Sequence, residues 1–87
     1  MQTKTTPAAE DYLKVIYDLT RARKRASTNG IAERMAVAPA SATGMVQKLA
    51  HSTPPLVDYE KHHGVALTAD GEQIALEIIR HHRLLEL

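Results

Sequence analysis

Residues 28–49, TNGIAERMAVAPASATGMVQKL, most constrain what this chain can fold into. Ile31, Ala32 and Met35 fall on one helical face, and Ala42, Val46 and Leu49 fall on another. Residues 36–39 between them leave room only for a tight turn. Pro39 suits the first turn of the second helix, where its missing N–H costs nothing. Ser27 or Thr28 can cap the first helix through a side-chain oxygen. The spacing predicts two short helices joined by a turn, a helix-turn-helix unit.

The flanking residues extend this pattern on both sides. Pro7, with Thr6 as its cap, opens a helix expected from residue 8 to about 23, with Tyr12, Val15, Ile16 and Leu19 on its buried face. The helix expected from Pro39 to about His51 is then broken by Ser52-Thr53-Pro54-Pro55. Leu56-Val57-Asp58-Tyr59-Glu60 alternates with period two, and Val65-Ala66-Leu67-Thr68 can pair back onto it. Lys61-His62-His63-Gly64 makes the turn, with Gly64 able to take a positive φ. Thr68 or Asp70 can cap a final helix with apolar positions at Ile74, Ala75, Ile78, Ile79 and Leu85. The expected fold is mostly α with a small β-hairpin: a winged helix-turn-helix with a three-helix core, a wing and a long C-terminal helix.

Composition narrows the class. Eighty-seven residues allow one domain and one modest core, and 44% apolar with 24% charged residues is ordinary for a globular protein. With no Trp, no Phe and three Tyr, the core must be aliphatic. Zero Cys removes disulfides and thiolate metal sites and makes a cytoplasmic setting the default. No apolar run approaches the roughly 18 residues of a membrane span. The polar start MQTKTTPAAE lacks the apolar stretch of a signal peptide. The histidines lack a Cys or Ser nucleophile motif and there is no Gly-rich phosphate loop, so an enzyme is not expected. Net charge is only +1, but Arg21, Arg23, Lys24 and Arg25 form a basic knot. By default such a knot is a solvated helix end, and it matters for nucleic acid only if it lies beside the recognition surface.

A helix that enters the major groove needs a compact, polar leading half. Ala38, Pro39, Ala40, Ser41, Thr43 and Gly44 meet that need. Ser and Thr hydroxyls can bond phosphates or base edges, and Ala or Pro can touch thymine methyls. One turn on, Gln47 can read adenine and Lys48 can anchor phosphate, while Lys61, His62 and His63 can reach the backbone or the minor groove as a wing. No Arg or Asn occupies the first turn, so much of the affinity is expected to come from phosphate contacts, with specificity from apolar contacts and DNA shape.

Four segments carry a more specific likeness: TPAAEDYLKVIYDL, IAERMAVAPASATGMVQKL, LVDYEKHHGVALTADGEQIA and IIRHHRLLE. In order and spacing, from Thr6 to Glu86, they resemble the N-terminal domain of the diphtheria toxin repressor and manganese transport regulator family. The resemblance implies a repressor that binds operator DNA as a homodimer when Mn(II) or Fe(II) is present. It implies metal ligands at Asp11, His82 and Glu86, with a carboxylate at Asp11 as in the manganese-responsive branch. Lys14 stands where manganese regulators carry a second carboxylate, a departure that weighs against a two-metal site. His82 and Glu86, four residues apart, share a helix face, and His plus carboxylate suits Mn(II), Fe(II), Co(II) or Zn(II). His81 lies about 100° around that helix and is expected to face solvent, and His51 reads as a cation at a helix C-terminus. The family's DNA contacts carry over to Ala38, Ala40, Ser41 and Thr43, while Gly44 replaces a glutamine that touches bases.

On the same resemblance, residues 1–71 are the DNA-binding domain and residues 72–87 begin the helix that links to a dimerisation domain absent from this chain. Metal bound to these residues alone is then expected to be weak. The apolar end Leu84-Leu85-Glu86-Leu87 either packs on another subunit or marks a cut in a longer protein. Two other functions fit the same layout: a winged-helix regulator without metal control, in which Asp11 and His82 are merely solvated, and a winged-helix protein-interaction module.

Overall fold

The hydroxyl of Thr6 accepts the Ala9 N–H at 3.1 Å, and α1 (Pro7–Ala22) begins there, with proline in its first turn. The computed structural model describes residues 6–86, and their side chains as far as His81. Helix α1 buries Ala9, Tyr12, Leu13 and Ile16. The stripe is therefore rotated toward Leu13 from the one expected, and Val15 and Leu19 are only half-buried. Both stripes satisfy helical spacing, and the packing of α4 and α2 against α1 selects between them.

Ser27 caps α2 (Thr28–Met35) by accepting the Gly30 N–H at 2.9 Å. Ile31 and Ala32 enter the core. The helix stops at Ala36, which takes left-handed angles (φ 57°, ψ 46°), so that the Val37 N–H reaches back to the Ala32 carbonyl at 3.1 Å. A residue with a Cβ is strained in that conformation by about 1–2 kcal/mol. Ala36→Gly should therefore stabilise the fold by about 1 kcal/mol after the entropy of glycine is subtracted, and raise the melting temperature followed by circular dichroism. A lower melting temperature would contradict the strain at this turn.

Helix α3 (Pro39–Ala50) follows after the three residues Ala36, Val37 and Ala38 and buries Ala42, Val46 and Leu49, as the spacing predicts. At its end the His51 Nδ1–H donates to the Gln47 carbonyl at 2.7 Å, satisfying one of the orphan carbonyls of the last turn. Strands β1 (Val57–Glu60) and β2 (Gly64–Leu67) pair antiparallel, with Val57 opposite Leu67 and Glu60 opposite Gly64. Both sit one residue from the expected limits. Thr68 leaves β2 because it caps α4 (Ala69–Glu86): its hydroxyl accepts the Gly71 N–H at 3.1 Å and donates to the Pro55 carbonyl at 2.8 Å. Leu56 leaves β1 because its N–H donates to the Leu49 carbonyl at 3.0 Å, which ties the hairpin to the end of α3.

Leu13, Ile16, Ile31, Val46, Leu56, Val57 and Val65 are fully buried where α1, α2, α3 and the hairpin meet. Each contributes about 1.5–3 kcal/mol by leaving water. Tyr12 is the one aromatic residue buried beside them, and the rest of the buried cluster is aliphatic, as the composition requires. Ala75 completes the core from α4, with Ile74 packed against it. Leu85, expected on the same face, has a side chain outside the described residues. Helix, helix, helix, hairpin, helix is the winged helix-turn-helix order.

Candidate nucleic-acid interface

With Ala42, Val46 and Leu49 in the core, the 3.6-residue period turns the opposite face of α3 outward. Ala38, Pro39, Ala40, Ser41, Gly44, Gln47 and Lys48 are exposed there, and Thr43 is half-buried at the edge. No hydrogen bond or ion pair among the described residues engages the side chains of Ser41, Thr43, Gln47 or Lys48. A Cβ placed on Gly44 would meet nothing within 4 Å, so packing gives no reason for glycine at the middle of this helix. The face is exposed and the side chains of Ser41, Thr43, Gln47 and Lys48 are unengaged.

The hairpin presents a second surface. Lys61, His62 and His63 are all exposed at its turn, closed by the His63 N–H donating to the Glu60 carbonyl at 2.9 Å. Two left-handed positions flanking His63 make the reversal possible, His62 at φ 73° and Gly64 at φ 92°. A Cβ on Gly64 would come within 2.6 Å of the Ala26 carbonyl oxygen, so glycine is also required by close approach. Ala26 lies beside β2 as a one-residue third strand, exchanging two hydrogen bonds of 2.8 Å with Val65.

The basic knot does not act as one unit. Arg21, Arg23 and Lys24 are exposed, whereas the Arg25 side chain is only 25% exposed and is built into the hairpin. It donates to the carbonyls of Asp58 (2.9 Å), His63 (3.1 Å) and Gly64 (3.0 Å) and pairs with the Asp58 carboxylate at 3.2 Å. In the sequence Arg25 reads as one more charge in a run. Its partners stand 33–39 residues away, and only the strand register brings them together.

The expected metal ligands are unevenly described. Asp11 sits on α1 with its side chain 59% exposed and 3.5 Å from the Lys14 ammonium. His82 and Glu86 lie on α4, but their side chains are outside the described residues. Among the described residues no three His, Cys, Asp or Glu side chains are grouped to hold a metal ion. One exposed carboxylate already facing an ammonium does not fit a metal site by itself. His81 is exposed, as expected. No helix of the described residues is long and apolar enough to cross a membrane.

Comparison with known proteins agrees with this architecture. Residues 4–65 match the family model described as iron dependent repressor, N-terminal DNA binding domain. An HTH-type transcriptional regulator MntR of Oceanobacillus iheyensis is 42% identical over 81 residues, 93% of this chain and 54% of the relative. The MntR regulator of Bacillus subtilis is 43% identical over 82 residues, 94% of this chain and 56% of the relative. That of Geobacillus kaustophilus is 41% identical over 81 residues. The chain thus spans about half the length of the curated relatives it matches. All are transcriptional regulators rather than enzymes.

Proposed function

The chain belongs to the iron-dependent repressor family through its N-terminal DNA-binding domain, and from that premise we propose that α3 enters the major groove of double-stranded operator DNA while the Lys61-His62 turn lies on the flanking backbone. The observation that carries this is the outward face of α3, exposed and with its polar side chains unengaged. Ser41 and Thr43 supply hydroxyls for phosphates or base edges, and Gln47 can pair with an adenine edge. Ala38, Pro39 and Ala40 offer methyl and methylene contact to thymine, and Lys48 neutralises a phosphate. Lys61 does the same from the wing, where His62 can donate a hydrogen bond to a phosphate.

In the intact regulator we propose control by Mn(II) or Fe(II), action as a homodimer, and a cytoplasmic location. Residues 1–71 form the DNA-binding unit and residues 72–87 lead toward the dimerisation part. The names of the family and of the MntR relatives support metal control. Asp11 is the one described side chain this domain offers, with His82 and Glu86 as the remaining candidates; on binding, the metal would supply a cationic link between such ligands.

Fluorescence anisotropy on a mixed-sequence duplex at a series of salt concentrations tests both levels. Affinity should fall steeply with salt, and Lys48→Ala should reduce the slope of log affinity against log salt by about one. Mn(II) should leave the affinity of this chain nearly unchanged. In the intact regulator Asp11→Ala should weaken Mn(II) binding in calorimetry while preserving metal-free DNA binding. No duplex binding at low salt would favour the protein-interaction module, and equal binding by the intact protein before and after chelation would remove metal control.

A further inference from the structure

Arg25, which no functional reading so far has used, sits at a junction of the fold. Antiparallel pairing of Ala26 with Val65 sets Arg25 level with Ala66, and Ala66 is level with Asp58 across the hairpin. Val57, Tyr59, Val65 and Leu67 occupy the inner face of the hairpin, with Val57 and Val65 fully buried, so alternation puts Asp58, Glu60, Gly64 and Ala66 on the outer face. The two small residues of β2, Gly64 and Ala66, leave a trough on that outer face. The Arg25 side chain crosses it to reach β1.

The contacts made there suit a guanidinium and no other side chain. Nε donates to the His63 carbonyl, and one terminal nitrogen donates to both the Asp58 and the Gly64 carbonyls. The other terminal nitrogen meets the Asp58 carboxylate at 3.2 Å, and Glu60 approaches the first to 3.7 Å. Three backbone carbonyls from β1, the turn and β2 are therefore gathered by one planar fork. Asp58 and Glu60 balance its charge, so Arg25 itself has little left for a phosphate. A two-stranded hairpin is marginal on its own. Its turn, at Lys61 and His62, is the part offered to DNA.

We infer that Arg25 is a positioning residue that fixes the wing, so that Lys61 and His62 meet the DNA backbone in a set pose. Resting on the DNA-binding function proposed above, this makes the arginine necessary for wing contacts it does not itself make. A lysine cannot replace it, because a single ammonium on a flexible stem cannot reach three carbonyls in one plane.

The test is a double-mutant cycle on the whole chain, with the mixed-sequence duplex as probe. Lys61→Ala should lower the salt slope by about one. Arg25→Gln should lower it by a similar amount, and the double variant should lose no more than Arg25→Gln alone. Arg25→Lys should fail to restore the slope although it keeps the charge. In hydrogen exchange, the His63 and Val65 amides of Arg25→Gln should exchange at least about tenfold faster, while α1 and α3 keep their protection and so show an intact fold.

Additive losses for Arg25→Gln and Lys61→Ala would overturn the inference, as would full rescue by Arg25→Lys. So would unchanged protection of the hairpin amides. Absence of duplex binding by the unmodified chain, with hairpin amides still released by Arg25→Gln, would instead sink the DNA-binding function and leave the hold of Arg25 on the hairpin standing.

Discussion

Replacing Ala40 with glutamate is expected to reduce duplex binding at low salt by at least about 100-fold, because a like charge set against phosphate costs several kcal/mol. Ala40 is exposed one residue after Pro39 opens α3, and the α3 residues in the core are Ala42, Val46 and Leu49. A carboxylate in the first turn of a helix is favourable by about 0.3–1 kcal/mol, since it faces the unpaired N–H groups there. Folding stability should therefore hold or rise slightly while affinity collapses. Opposite signs in a thermal melt and an anisotropy titration separate an effect at the DNA surface from an effect on the fold. An Ala40→Glu variant that bound duplex as well as the unmodified chain would show that this face of α3 does not meet DNA.

Gly71→Ala should be among the most destabilising single changes in the molecule, at about 3 kcal/mol, near the top of the usual range for overpacking. Helix propensity alone predicts the reverse, a gain of about 1 kcal/mol, because Ala is the better helix former. The sign is decided by the Leu56 backbone. A Cβ on Gly71 would overlap the Leu56 carbonyl oxygen, and its carbonyl carbon and Cα are also close. None of these atoms can swing aside as the end of a flexible side chain could. The Leu56 carbonyl also accepts the Thr68 N–H at 3.2 Å, so shifting it would loosen the start of α4. Denaturant unfolding would read the loss as a lower midpoint. A Gly71→Ala variant as stable as the parent would mean that α4 does not begin against Leu56.

Helices and hairpin were legible because their apolar spacing and breakers are local. Ala42, Val46 and Leu49 repeat at helical intervals, and Pro54-Pro55 stops the helix before the strand alternation starts. The α1 stripe was misread by about one position, since Tyr12 and Ile16 belong to either of two overlapping stripes and only α2 and α4 choose between them. Ala36 escaped notice because a left-handed turn is signalled by Gly or Asn, and alanine carries neither signal. Arg25 was hidden for the opposite reason. Its local neighbours, Arg23 and Lys24, announce a solvated charge run, whereas the groups that hold it are set by strand register far along the chain. The face of α3 was readable as a candidate site because the residues it leaves outward are those its core residues do not use. Asp11, by contrast, was singled out through family likeness rather than spacing, and its environment, an ion pair with Lys14, depends on side-chain placement.

Leu56 is also the joint between two helices. Its N–H is bonded to the last turn of α3, and its carbonyl is bonded to the residue that starts α4. One peptide pair thus joins the end of α3 to the start of α4, an arm of 18 residues that also packs along α1. At 1.5 Å per residue that arm is about 27 Å long, so a tilt of ~10° at the joint carries its far tip through ~5 Å. That travel exceeds the rise of three residues along a helix. By geometry alone, a small change of angle between α3 and α4 at Leu56 would displace the far end of α4 by several ångströms, and the packing of α4 on α1 resists that change.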